Sequence, residues 1–188
     1  MRLFLAINLE PDLRRAVADA TAPLRAAAPS PSWVDESKIH LTLKFLGDQD
    51  ESVVPPLSAA MDRVVASHRR FSIKLGHIGA FPNFRRARVV WMGIEHEPRL
   101  ELLHHDVELA CETLGFELEG RAFRPHLTLA RVNHRTEVEE MRQLSRAGKR
   151  VKFQEDATVE SLDLMQSMLG GSHPSRYQRL HAAKLRTG

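Results

Sequence analysis

Apolar runs and helical periodicities follow one another along the chain in an order that predicts its elements. RLFLAINL has strand character, and PDLRRAVADATAPLRAAA carries apolar residues at helical spacing, with Pro11 placed at a helix start. WVDESK leads into a strand, IHLTLKFLG. The polar stretch Asp48 to Glu51 then opens the helix SVVPPLSAAMDRVVASH, with Pro55 and Pro56 near its first turn. FSIKLGHIGAF and ARVVWMGI are β-like runs joined by the turn-prone, basic PNFRR, a pattern that predicts a hairpin. PRLELLHHDVELACETLGF places Leu100, Leu103, Val107, Ala110 and Leu114 at i, i+3 or i+4 and ends at Gly115, so it reads as an amphipathic helix. The strand HLTLARV, the helix TEVEEMRQLSRAG, the strand material KFQEDATVESLDLMQSM and a last strand, YQRLHAAKL, complete the order.

The chain repeats itself loosely. Each half holds a long helix and a strand beginning His-Leu-Thr-Leu, which predicts two αβ lobes related by an approximate two-fold axis within one domain spanning residues 1–188. The order of elements is not simple βαβ winding, so the fold class expected is α+β with largely antiparallel sheets.

The doubled tetrapeptide is the strongest chemical signal. Alternate side chains of a strand share a face, so His40 and Thr42 point one way while Ile39, Leu41, Leu43 and Phe45 point the other. His126 and Thr128 repeat the arrangement over Leu127 and Leu129. One His-x-Thr on a strand is usually incidental, its polar atoms satisfied locally. Two copies on equivalent strands, each backed by leucines, place two imidazoles and two hydroxyls in one cleft if the lobes bring those faces together. Such a set suits in-line displacement at phosphorus: one histidine takes a proton from the nucleophile and another protonates the leaving oxygen. The threonine hydroxyls then donate to the non-bridging oxygens as charge grows.

Composition narrows the picture. Hydrophobic residues make up 43% and charged residues 27%, as in an ordinary globular chain. The formal net charge of +3 is compatible with an anionic partner without demanding one, although arginines gather at Arg85, Arg86 and Arg88 and at Arg121, Arg124 and Arg131. A lone cysteine, Cys111, excludes an intrachain disulfide and a cysteine-based zinc site, suits a reducing cytoplasm, and reads as helix core. The N-terminal MRLFLAINLEPDLRR, broken by Asn8 and Glu10, resembles neither a signal peptide nor a membrane span.

HLTLKFLG, GAFPNFRRARVVWMGI and LGFELEGRAFRPHLTLAR closely resemble the RNA 2′,3′-cyclic phosphodiesterases, also called 2′-5′ RNA ligases, of the 2H phosphoesterase superfamily. The likeness runs from the N-terminus to about Arg131 and more faintly to Tyr177. It implies a bilobal fold with a central groove and hydrolysis of a terminal RNA 2′,3′-cyclic phosphate to a 2′-phosphomonoester, with reversible 2′-5′ joining. It assigns His40 as proton donor to the leaving 3′ oxygen, His126 as the acceptor that activates water, and Thr42 and Thr128 as phosphate holders. The two motifs are locally alike, so the residues alone do not say which ring is acid and which is base.

Four further side chains are expected at the substrate. Lys44 shares the His40 face and would approach an RNA backbone. Arg131 stands where the family often has arginine, yet strict alternation puts it opposite His126, so it reaches phosphate only if the strand bends or bulges. Phe45, its counterpart in the first motif, is expected in the core. Phe81 and Tyr177 are candidates to stack on a base, with structural packing as the competing role of each. The approach to Tyr177, GGSHPSRYQRL, departs from the more apolar, Pro-Gly-rich segment of the family.

Other signals fall away. Adjacent histidines in LHHD diverge on a helix and read as solvated, HEPRL lacks the second histidine of a zinc-protease motif, and neither GxGxxG nor GxxxxGK[ST] occurs. The expectation is therefore a cytoplasmic, monomeric enzyme without metal or cofactor, partnered by RNA with a 2′,3′-cyclic phosphate end and not by a membrane. Two rivals stand beside it: another 2H activity on small cyclic nucleotides or 2′-5′ oligonucleotides, and an RNA-binding module with little chemistry.

Overall fold

The computed structural model describes residues 1–168 and 175–187. Its elements run β1 (Arg2–Asn8), α1 (Pro11–Ala27), β2 (Ser32–Trp33), β3 (His40–Asp48), α2 (Val54–Val65), β4 (Phe71–Phe81), β5 (Val89–Ile94), α3 (Pro98–Glu112), β6 (His126–Arg131), α4 (Val138–Gly148), β7 (Glu155–Val159), β8 (Ser161–Met168) and β9 (Arg176–Lys184). The strands and helices fall where the periodicity predicts them. Prolines open α1, α2 and α3, where a missing N–H costs nothing. At the start of α4 the Glu140 carboxylate accepts from the Glu137 backbone N–H.

The strands form one curled sheet in the order β7-β4-β5-β6-β3-β1-β8-β9, with β2 added beside β6. All its strand pairings are antiparallel. The expected antiparallel α+β architecture is therefore present, with the two halves continuous through β3 and β6. Among the described residues those two strands meet at one paired position, Leu41 with Leu127. Helices α2 and α3 pack together against the β3 and β8–β9 half, while α1 and α4 pack together against the other half. Both helix pairs lie on one face of the sheet, and the groove is the other.

Burial follows the helix face. Leu41 and Leu127 are fully enclosed with Leu5, Ile7, Leu57, Leu103 and Met92 in a core that runs beneath both halves. Cys111 is part of it, and burial pushes its thiol pKa up to about 11, so this side chain is inert filler. No described helix is long and apolar enough to cross a membrane.

Strict alternation fails just after each HLTL, for the same reason both times. On β3 the register with β1 slips between Ala6–Thr42 and Leu5–Lys44, leaving Leu43 as an extra, bulged residue. On β6 the register with β5 slips between Trp91–Thr128 and Val90–Ala130, leaving Leu129. A bulge inverts the facing of everything beyond it. Two expectations are corrected in consequence. Lys44 does not share the face of His40: it is 7% exposed, on the helix side, where Nζ donates to Glu108 Oε2 at 2.8 Å and to the Glu117 carbonyl at 2.8 Å. Phe45 is not core but 69% exposed on the groove side. The second bulge turns Ala130 into the core and brings Arg131 out on the groove face.

Candidate active site

The Leu41–Leu127 pairing decides the layout of the groove floor. Because β3 and β6 run antiparallel about it, one residue to either side sets His40 beside Thr128 and Thr42 beside His126. The two leucines point into the core while the four polar side chains, all half-buried, point into the groove.

Both imidazoles are held by the same device. His40 Nδ1 lies 2.7 Å from the carbonyl oxygen of Lys38, and His126 Nδ1 lies 2.7 Å from that of Arg124. A carbonyl only accepts, so each Nδ1 carries a proton and each Nε2 is left to take or release one. His40 Nε2 sits 3.0 Å from Thr42 Oγ1. An aromatic ring braces each histidine edge-on: Tyr177 against His40 at 5.4 Å between centroids, and Phe81 against His126 at 5.0 Å. Phe4 adds a second contact to His40 at 5.0 Å, and Lys38 Nζ lies 5.9 Å from the centre of the Tyr177 ring.

Electrostatics favour neutral rings in the resting protein. Burial is the main cause that pulls the pKa of His40 below its ordinary value; its bond to the Lys38 carbonyl opposes this, and the charges of Arg131 and His126 lower it further. His126 is lowered likewise, first by burial and then by Arg131, against the bond to Arg124. Arg131 therefore bears on both rings as a nearby cation.

The structure thus gathers His40, Thr42, His126, Thr128, Arg131, Phe81 and Tyr177 around one groove and leaves Lys44 outside it. Residues 169–174, which hold most of the unusual approach to Tyr177, lie outside the described residues. Sequence reasoning also missed a polar cluster in the floor. Asp163 is 0% exposed and accepts from Asn8 Nδ2 at 2.6 Å and Ser161 Oγ at 2.7 Å, with Arg179 Nη1 at 3.5 Å. Asn8 is the strand partner of His40, so this cluster fixes the groove edge on the His40 side. The signal was an aspartate inside the apolar run SLDLM, a buried acid that must be paired. His104 is not solvated as expected: it stacks flat on Phe123 at 3.8 Å, and burial lowers its pKa. Among the described residues no group of histidines, cysteines and carboxylates is arranged to hold a metal ion.

A profile of the 2′-5′ RNA ligase superfamily matches residues 9–170. The chain belongs to that superfamily. It is 37% identical over 128 residues to an RNA 2′,3′-cyclic phosphodiesterase of Geobacillus stearothermophilus, an alignment covering 68% of this chain but only 41% of that longer relative. It is 32% identical over 175 residues to an RNA 2′,3′-cyclic phosphodiesterase of Aeropyrum pernix, with 92% of each chain covered. The structure of E. coli LigT complexed with 3′-AMP superposes with a TM-score of 0.75 at 26% identity, over 98% of this chain and 97% of that one. Membership agrees with the paired His-x-Thr strands, which lie within the matched span.

Proposed function

We propose that this protein hydrolyses the 2′,3′-cyclic phosphate at an RNA end to a 2′-phosphomonoester, with reversible 2′-5′ joining, in which an RNA hydroxyl takes the place of water, as the parallel reaction. The observation that carries this reading is the antiparallel crossing of two His-x-Thr pairs at Leu41–Leu127, with both Nδ1 atoms anchored on carbonyls. Two proton-transfer groups then stand on opposite sides of one phosphate site.

In the reaction His126 Nε2 takes a proton from water as its oxygen attacks phosphorus, and the P–O3′ bond breaks as His40 Nε2–H protonates the leaving oxygen. Thr42 and Thr128 donate to the non-bridging oxygens, and Arg131 supplies positive charge beside them. The division of acid and base follows the family resemblance, and the Asn8–Asp163–Arg179 edge beside His40 is where the leaving ribose would lie. Phe81 and Tyr177 border the site on its two sides as candidate base platforms. The protein works as a monomer in the cytoplasm, and its histidines supply both proton transfers.

The test is incubation of the protein, in excess chelator, with an oligoribonucleotide ending in a 2′,3′-cyclic phosphate, followed by location of the product phosphate. A 2′-phosphate is expected. A 3′-phosphate would reverse the assigned polarity, and activity restored only by a divalent ion would overturn the two-histidine mechanism.

A further inference from the structure

His126 owes its aim to a carbonyl that no strand or helix holds. Its Nδ1 proton goes to the carbonyl of Arg124, and Arg124 lies in a stretch, Gly120 to Pro125, that forms no regular element. Among the described residues the other hydrogen bond of that stretch is local, from the Arg121 N–H to the Glu119 carboxylate at 3.3 Å. Gly120, Arg121, Ala122 and Arg124 are exposed, whereas Phe123 reaches inward and lies flat on His104, with 3.8 Å between ring centroids and 7° between planes. Pro125 stiffens the connection. Its ring fixes its own φ and holds Arg124 away from helical backbone, so the height and tilt of the Phe123 ring pass directly to the Arg124 carbonyl. Phe123, Arg124 and Pro125 line a cavity of about 350 Å³ beside His126, and His104 stands behind Phe123, outside it.

His104 is itself aimed. Its side chain is 13% exposed, and Nε2 lies 3.7 Å from Glu108 Oε1, one turn further along α3. That oxygen is buried with no hydrogen-bond partner among the described residues, although its twin, Oε2, accepts from Lys44 Nζ and from the Glu119 N–H. A buried carboxylate oxygen left open towards an imidazole favours the Nε2–H tautomer and one ring orientation. Burial is the main cause that favours the neutral ring, with Glu108 and Glu119 opposing it and Lys44 and His105 reinforcing it. One carboxylate therefore joins Lys44, on the strand of His40, to the helix and segment that lead to His126. We propose that His104 is a positioning residue for His126: oriented by Glu108, it clamps Phe123 and so fixes the Arg124 carbonyl that keeps the His126 proton on Nδ1 and leaves Nε2 free. This rests on the part given to His126 in the function proposed above, and it assigns work to a side chain outside the groove.

The tautomer of His126 reports the clamp without any turnover. In protein labelled with nitrogen-15 at histidine, long-range nitrogen–proton spectra, assigned by the signals lost in His126→Gln, should show the wild-type His126 with its proton on Nδ1. His104→Ala removes the clamp and should give a mixture of Nδ1–H and Nε2–H forms. On a cyclic-phosphate oligonucleotide its kcat should fall roughly 10- to 100-fold, the cost of a base displaced by about an ångström, with KM changed less than about twofold. His104→Phe restores a flat ring over Phe123 and should recover part of both losses. Phe123→Leu breaks the same stack from its other side and should mix the tautomers in the same way, so the test survives if His104→Ala does not fold. Val107→Ala opens a cavity in the core under the same helix and controls for destabilisation: it should lower Tm with the His126 tautomer unchanged. An unmixed tautomer in both His104→Ala and Phe123→Leu overturns the proposal, as does mixing of equal extent in Val107→Ala. Absence of hydrolysis in a wild type with the expected tautomer would instead overturn the function proposed above, since the spectra are read independently of it.

Discussion

Leu41 and Leu127 stand opposite each other where β3 meets β6, and about this apolar pair the two His-x-Thr motifs cross. Each imidazole therefore has a threonine from its own strand and one from the neighbouring strand. The proposed catalytic set is positioned by a buried ladder contact, not by flexible loops, so its geometry is as rigid as the core beneath it.

His40→Ala and His126→Ala should each lower kcat roughly 10²- to 10⁴-fold, the usual worth of a positioned general acid or base. The double variant should lose much less than the product of the two, because the rings act as a unit. Single-turnover rates on a cyclic-phosphate oligonucleotide, measured on variants with wild-type thermal unfolding, check this. A folded single variant with near-normal turnover would sink the assignment.

The pH profile carries a sharper expectation. The proposed mechanism needs one ring neutral and the other charged, so kcat/KM should be bell-shaped, its limbs belonging to the pair. Burial and Arg131 lower both rings below 6.5, so the maximum should fall on the acid side of that value. Arg131→Gln removes a cation that disfavours both imidazolium forms, and both limbs should move to higher pH as activity drops. Limbs that stay in place would mean that Arg131 does not act on the histidines.

Stability should depend on pH through the same rings. A histidine whose folded pKa lies below its unfolded one binds fewer protons when folded, so unfolding is favoured progressively as pH falls from 6.5 towards the folded value. Above 6.5 this penalty is absent. Urea midpoints should therefore decline through that window, and His40→Gln should flatten the decline. A separate loss is expected at lower pH, where Asp35 and Glu140 surrender their hydrogen-bonded charged forms.

Lys44 and Glu108 form a buried ion pair that also holds the segment leading to His126, since Lys44 donates to the Glu117 carbonyl and Glu108 accepts from the Glu119 N–H at 2.9 Å. Glu108→Ala strands a buried ammonium and should cost about 3–5 kcal/mol in urea unfolding. Replacing both partners by apolar residues of similar volume should recover much of that loss. A single variant as stable as wild type would show that Lys44 finds another partner.

The faces of the HLTL strands were legible before any fold was known, because which side a residue takes within four residues depends only on the two-residue period. Helix positions, their proline starts and the β4–β5 hairpin were legible for the same reason: spacing and turn chemistry are local. A shared cleft was legible only as a condition raised by their doubling, and the pairing of Leu41 with Leu127 meets it. The side taken by Lys44, Phe45 and Arg131 was not, since it turns on bulges at Leu43 and Leu129 that exist only relative to the registers of β1 and β5. The partner that buries Lys44, Glu108, is 64 residues away, and Asp163 meets Asn8 across 155. The cavity beside His126 is assembled from β4, β5, α3 and the segment before β6, elements legible one by one but not as neighbours. Local order sets what each strand offers, whereas pairing register and packing across distant segments determine what it faces.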